Sequence, residues 1–223
     1  MSTTQLTRFA VAVALFLATV PQPAAALELD GYKDNLFAYP QTLRSEDGGA
    51  FLAIDYQEMR DINQRDEIPE RRVRGRYVSL GVRHDQKSET VVVEDRMLDL
   101  IRVGFVPGAR FAVIFIHGRG GRKLGADDFR FGGNFNRLKN LAVENKGTYF
   151  SPSIKSFDDA GAADIKALID VLAEKEPGIR IVLSCASMGS FICWNLSRNE
   201  QAVSRLAGMM IMGGVSDPQF QQS

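Results

Sequence analysis

From Phe111 onward the chain repeats one pattern, in which a short and almost wholly apolar run is followed by an amphipathic stretch and then by another apolar run. The runs are Phe111 to Ile116, Thr148 to Ser151, Ile181 to Cys185 and Leu206 to Met212. A strand without apolar-polar alternation is one covered on both faces, and helices supply that cover, so the pattern predicts an α/β domain with a mostly parallel sheet. Two intervening helices are expected, one around Asn134 to Asn145 and one opened by Asp158 and Asp159. In the second, Ile165, Leu168, Ile169 and Leu172 fall at i, i+3, i+4 and i+7, a core-facing stripe, and Pro177-Gly178 ends it. A further helix runs through Trp194. Met209, Met210 and Met212 read as core-filling residues of the last strand.

Before residue 107 the pattern is different. Val73 to Val82 and Thr90 to Val93, on either side of the polar break His84 to Glu89, read as an antiparallel hairpin, and Leu98 to Val106 extends the sheet. Leu27 to about Glu70 is polar and irregular, an exposed lead-in that could act as a lid. At the start, Arg8 precedes the apolar run Phe9 to Val20, and Pro21-Gln22-Pro23 leads into Ala24-Ala25-Ala26. That is the pattern of a signal peptide cut after Ala26, too short to cross a bilayer as a stable helix; the other reading, with a single basic residue ahead of the run, is an uncleaved membrane anchor. The expected organisation is a leader over 1–26, a lead-in over 27–70 and the domain over 71–223. The protein is expected to be exported, periplasmic or secreted, with no stable membrane span after cleavage.

With 27 Lys and Arg against 27 Asp and Glu, no net field draws the chain to nucleic acid or an anionic membrane. Export would let a disulfide persist, but spacing alone does not pair Cys185 and Cys193, and they are read as two small buried thiols. No Cys/His spacing suggests a metal, and no phosphate-cradling glycine loop is present, so neither metal nor cofactor is expected.

Two motifs carry chemistry. Cys185-Ala186-Ser187-Met188-Gly189-Ser190 lies between an apolar run and a helix, a variant of G-x-S-x-G with cysteine in place of the first glycine. A serine on such a turn has an exposed hydroxyl, and small neighbours are needed where strand and helix backbones meet. About seventy residues earlier, His117-Gly118-Arg119-Gly120-Gly121 directly follows the run Phe111 to Ile116. A glycine-rich loop there can offer a backbone N–H to the oxyanion of an acyl transfer. Arg119, Arg122 and Lys123 read as a solvated basic cluster on that loop.

From about Val73 to its end the chain resembles the first two-thirds of an α/β-hydrolase, and its HGRGG loop is similar to that of the esterase, lipase and carboxylesterase branches. The resemblance implies a mostly parallel α/β-hydrolase sheet with helices on both faces, preceded by an N-terminal antiparallel hairpin. It implies hydrolysis of a small-molecule carboxylic ester or thioester through an acyl-enzyme on Ser187, without a cofactor. The amides of Arg119 and Met188 would form the oxyanion hole, with His117, Gly118 and Gly120 supporting the loop. The family order places an acid and then a histidine after the serine, yet His84 and His117 both precede Ser187. The reading is a domain whose last strands are missing at the C-terminus. Asp217 is the candidate acid, and a turn residue before Pro218 is the plainer account of it. The other reading is a non-catalytic protein that keeps the fold for binding, or a decayed fragment.

Overall fold

The computed structural model of the chain describes residues 27–38, 40–63, 67–68, 72–93, 95–121, 125–217 and 219. The expected leader, and Arg122 and Lys123, lie outside these residues. A short helix α1 (Asp34–Phe37) leads to a hairpin of β1 (Thr42–Glu46) and β2 (Phe51–Ile54), followed by the two-residue strands β3 (Glu67–Ile68) and β4 (Arg72–Val73). The main sheet takes β5 (Gln86–Val93), β6 (Arg96–Val103), β7 (Phe111–Ile116), β8 (Thr148–Pro152), β9 (Arg180–Ala186) and β10 (Leu206–Met212). The helices α2 (Asn134–Glu144), α3 (Asp159–Lys175), α4 (Ser190–Ser197) and α5 (Glu200–Val203) connect them.

The spatial order is β10-β9-β7-β8-β6-β5. β7, β8, β9 and β10 are parallel to one another, and β6 and β5 continue the sheet antiparallel, as the apolar runs predict. The chain leaves β7 for β8 on one side through α2, then crosses back over β7 to reach β9 on the other side through α3. Right-handed crossovers in opposite directions put their helices on opposite faces. The core divides accordingly. Ala112, Ile114 and Ile116 of β7 face α3 and α4, in a cluster with Ile165, Leu168, Ile169 and Ile192. Phe111, Val113 and Phe115 face α2, with Phe135 and Ala142. Asp158 caps α3, its carboxylate accepting from the amides of Ala160 at 3.0 Å and Gly161 at 3.3 Å.

Several expectations are corrected. The hairpin is not Val73–Val82 with Thr90–Val93 but β5 with β6, paired from Gln86↔Val103 to Val93↔Arg96. Of the supposed polar break, His84 and Asp85 close a turn and Gln86 to Glu89 are the first half of the sheet's edge strand, where Glu89 pairs with Arg102 at 2.6 Å, and edge strands tolerate charge. Val73, Tyr77 and Val78 instead pack with Leu36, Phe37 and Phe129 as a separate small cluster, delivered by turns at Gly75–Tyr77 and Gly81–Asp85. The lead-in is not wholly irregular: it holds the β1–β2 hairpin, and Tyr32 is buried. The methionines of β10 are not simply core, because β10 is the other edge strand; Met209 and Met212 half-bury against the two clusters and Met210 is 37% exposed.

A buried polar network closes the α2 side. Lys139 and Asp128, both with fully buried side chains, pair at 2.7 Å, and Arg83 reaches the second oxygen of Asp128 at 2.9 Å. Asn136 donates to Asp128 at 2.7 Å and accepts from the Tyr32 hydroxyl at 2.6 Å, which ties the lead-in to the domain. Lys139 also donates to the carbonyl of Ala126 at 2.8 Å, and Tyr149 to that of Gly125 at 2.8 Å. Removing one partner of a buried ion pair leaves the other charge dehydrated and unmatched. Asp128→Ala should therefore lower stability by about 3–5 kcal/mol in urea unfolding, far more than a surface substitution such as Arg44→Ala. A loss under about 1 kcal/mol would show that water reaches Lys139.

Candidate active site

The crossovers leave β7 in opposite directions, so the carboxyl ends of β7 and β9 form the topological switch point, the place where open α/β sheets bind ligands. Both sequence motifs end there. Ala186 is still extended (φ −112°, ψ 135°), but Ser187 has φ 50°, and a single tight turn, Ser187–Gly189, then runs into α4. A left-handed serine is an uncommon, strained conformation, and it lifts the side chain out of the strand's line.

The glycine after Met188 is required by contact. A Cβ on Gly189 would lie 2.6 Å from the carbonyl oxygen of Ile116 and 2.7 Å from that of His117. The first turn of the helix thus rests on the backbone at the end of β7. Gly118 completes the approach, since a Cβ there would lie 2.8 Å from Cβ of Ser187 and 3.2 Å from its Oγ. The two motifs, seventy residues apart in sequence, are in van der Waals contact. The Gly121 amide donates to the carbonyl of Gly118 at 3.1 Å and Gly120 has φ 70°, so Arg119 sits on the crest of a turn. From there Nε of Arg119 reaches Sδ of Met188 at 3.2 Å, bringing together the two residues expected to supply oxyanion donors. Met188 lies in the first turn of the elbow, where amides have no helical acceptor.

His117 is buried and has both ring nitrogens engaged. Nδ1–H donates to the carbonyl of Gly118 at 2.6 Å, and Nε2 accepts from the amide of Ile154 at 2.9 Å. Burial holds its pKa below the usual 6.5, so the ring stays neutral. It braces the loop and has no nitrogen left to take a proton from Ser187. His84 is exposed, bonded to the Gly81 carbonyl and 3.2 Å from Asp85. It precedes Gln86, which pairs with Val103, which in turn pairs with Tyr149 near the start of β8. His84 therefore lies at the opposite end of the sheet from Ser187. Asp217 is ion-paired with Arg198, the residue that ends α4, and that partner holds its carboxyl below the usual range. The chain reaches it by running along α4, with Val215 bonded to Ser190 and to Trp194. Asp217 is thus at the far end of α4 from the turn that holds Ser187.

Other residues of the site carry no sequence signal. Ser190 donates to the carbonyl of Ser187 at 2.7 Å and accepts from the amide of Val215 at 3.0 Å, pinning the elbow to the segment after β10. Cys185 and Cys193 are not free thiols: they form a disulfide between the end of β9 and α4 that encloses Ser187. This explains cysteine in the place of the first glycine. Its side chain turns inward, fully buried, to a partner on the helix rather than toward the helix backbone.

No protein-family model matches the chain, and no curated protein sequence does. Solved structures do resemble it. A CIB-like hydrolase from Thermoplasma acidophilum shares 14% identity with TM-score 0.46, over 61% of this chain and 67% of that one. A dienelactone hydrolase from Anabaena variabilis shares 15% with TM-score 0.45, over 58% and 63%. An esterase from Pyrococcus furiosus shares 16% with TM-score 0.47, over 64% and 54%. This chain thus spans about two-thirds or less of their lengths. The chain's own strand order and its two core clusters give it a mostly parallel α/β sheet with helices on both faces.

Two measurements test the geometry. If the turn holds Ser187 in a strained left-handed conformation, Ser187→Gly should raise stability by about 1 kcal/mol in urea unfolding relative to Ser187→Ala. Equal stability of the two variants would mean that the turn carries no strain. The second concerns His117. Its folded-state pKa is depressed, so the unfolded chain takes up a proton that the folded loop refuses. Its contribution to stability is complete above the usual 6.5 and is lost as pH falls below that value. The stability gap between wild type and His117→Gln should narrow from about pH 7.5 to about pH 5.5, and a constant gap would refute a neutral, doubly bonded ring.

Proposed function

We propose that this protein is an exported serine hydrolase that cleaves carboxylic esters or thioesters through an acyl-enzyme on Ser187. The observation that carries the reading is the contact between a left-handed Ser187 and Gly118 at the switch point of the sheet. In this mechanism Oγ of Ser187 attacks the carbonyl carbon and its proton passes to a base. The amides of Arg119 and Met188 hold the oxyanion, the leaving alcohol or thiol takes a proton, and water then frees the acyl group. The neutral His117 keeps the glycine loop in register. A disulfide around the nucleophile supports the exported part of the reading, because such bonds persist in oxidising compartments.

The base is the part that neither histidine supplies. Without one, oxyanion stabilisation and binding alone leave about 10³–10⁴-fold over water. That specific observation favours a second reading, in which the fold binds an acyl compound without turning it over. Labelling of the purified protein with a fluorophosphonate probe separates the two, with Ser187→Ala as control. Labelling that vanishes in the variant is the expected result and identifies an activated serine. A folded, disulfide-intact sample that stays unlabelled would overturn the hydrolase reading in favour of the binding one.

A further inference from the structure

A cavity of about 390 Å³ opens beside the elbow, between the first turn of α3 and the outer side of α4. Its walls include Phe157, Asp158 and Asp159 from the start of α3, and Phe191, Trp194 and Arg198 from α4 or its end. It adjoins the candidate active site along two routes. Phe191 is the second residue of α4, the helix that the Ser187 turn runs into. The Phe157 ring meets His117 edge-on with centroids 6.0 Å apart, and His117 is followed by the glycine that touches Ser187. Trp194 is fixed in place, since its indole N–H donates to the carbonyl of Val215 at 3.0 Å.

The charges in the wall decide what the cavity suits. Asp158 already caps α3, so the positive end of that helix is occupied and does not invite an anion. The Ser156 hydroxyl and the Gly161 amide hold the Asp158 carboxyl below its usual range, keeping it ionised. Asp159 accepts from Asn195 at 2.5 Å through one oxygen. Arg198, the one cation among the residues lining the cavity, is paired with Asp217. Apart from the paired Arg198, the lining consists of three aromatic residues, two carboxylates and the uncharged amides of Asn195, Asn199 and Gln219. Aromatic faces attract cations through their quadrupole, and grouped rings bind quaternary ammonium groups. An anion would instead face two carboxylates.

We infer that this cavity is a subsite for an organic cation, a quaternary or protonated amine, borne by the molecule that Ser187 attacks; the last clause rests on the hydrolase reading and the cation site itself does not. Trp194 is the only tryptophan in the chain, so its emission reports on the cavity alone. The test titrates the purified full chain, at constant ionic strength, with choline and with 3,3-dimethyl-1-butanol, which has the same shape without the charge. Choline should perturb the emission saturably and bind at least about tenfold more tightly than the alcohol. Asp159→Asn should weaken choline about fivefold and leave the alcohol unchanged. Phe191→Leu, which leaves the charges in place, should weaken choline as well. Equal affinities for the two compounds, or no response to choline up to about 100 mM, would overturn the inference. Binding requires no turnover and should survive Ser187→Ala. A choline response in a protein that the fluorophosphonate leaves unlabelled would sink the hydrolase reading alone; labelling without a choline response would sink the cation site alone.

Discussion

At the carboxyl ends of β7 and β9 two backbones come so close that only hydrogen fits between them: any side chain on Gly189 would run into the carbonyl oxygens of Ile116 and His117. That approach sets the angle at which α4 leaves the strand, and with it the left-handed turn at Ser187. It also determines what can stand opposite. Gly118 meets Ser187 side on, so the loop after β7 has to begin with a residue that lacks a Cβ at the point of contact. The core beneath is built to hold this geometry. Ile192 and Leu196 of α4 pack with Ile165 and Ile169 of α3 under the parallel strands, and the Cys185–Cys193 bond ties strand to helix across the turn. A disulfide restrains the unfolded chain, and here the closed loop is the elbow itself.

The opposite face solves a different problem. The chain after the glycine loop must cross to α2 over buried polar ground, and its carbonyls at Gly125 and Ala126 need donors there. Tyr149 and Lys139 supply them, and Lys139 in turn needs a counter-charge, which Asp128 provides. Asn136 then joins Asp128 to the hydroxyl of Tyr32. A segment that reads as an exposed lead-in is thereby fastened to the same network that holds the carbonyls of Gly125 and Ala126. Ionic groups of this kind add little net stability compared with apolar packing, but breaking one is expensive, so the network fixes an arrangement more than it strengthens the fold.

The α/β core was legible because the burial of strands on both faces erases alternation, and only the parallel part of a covered sheet does that. The same logic failed at the edges. Gln86 to Glu89 looked like a break because an edge strand can carry charge, and Val73 to Val82 looked like one strand although only Val73 lies in a strand and Tyr77 and Val82 lie in turns. The candidate site was legible as far as its glycines and serine, whose types are dictated by backbone approach. The partners that hold it were not. Ser190, the amide of Ile154 and the cysteine pairing depend on which segments meet in space, and residue types along the chain do not encode that.

Strain, finally, bears on how the site should be understood. A serine at φ 50° costs on the order of 1 kcal/mol that glycine would not, and His117 is buried although an apolar side chain could fill its place more cheaply. Both serve one end: the first raises a hydroxyl above the strand, and the second holds a glycine loop against it with both ring nitrogens satisfied. The strain at Ser187 follows from the close approach of the two backbones, and its result is a hydroxyl raised against Gly118 at the switch point of the sheet.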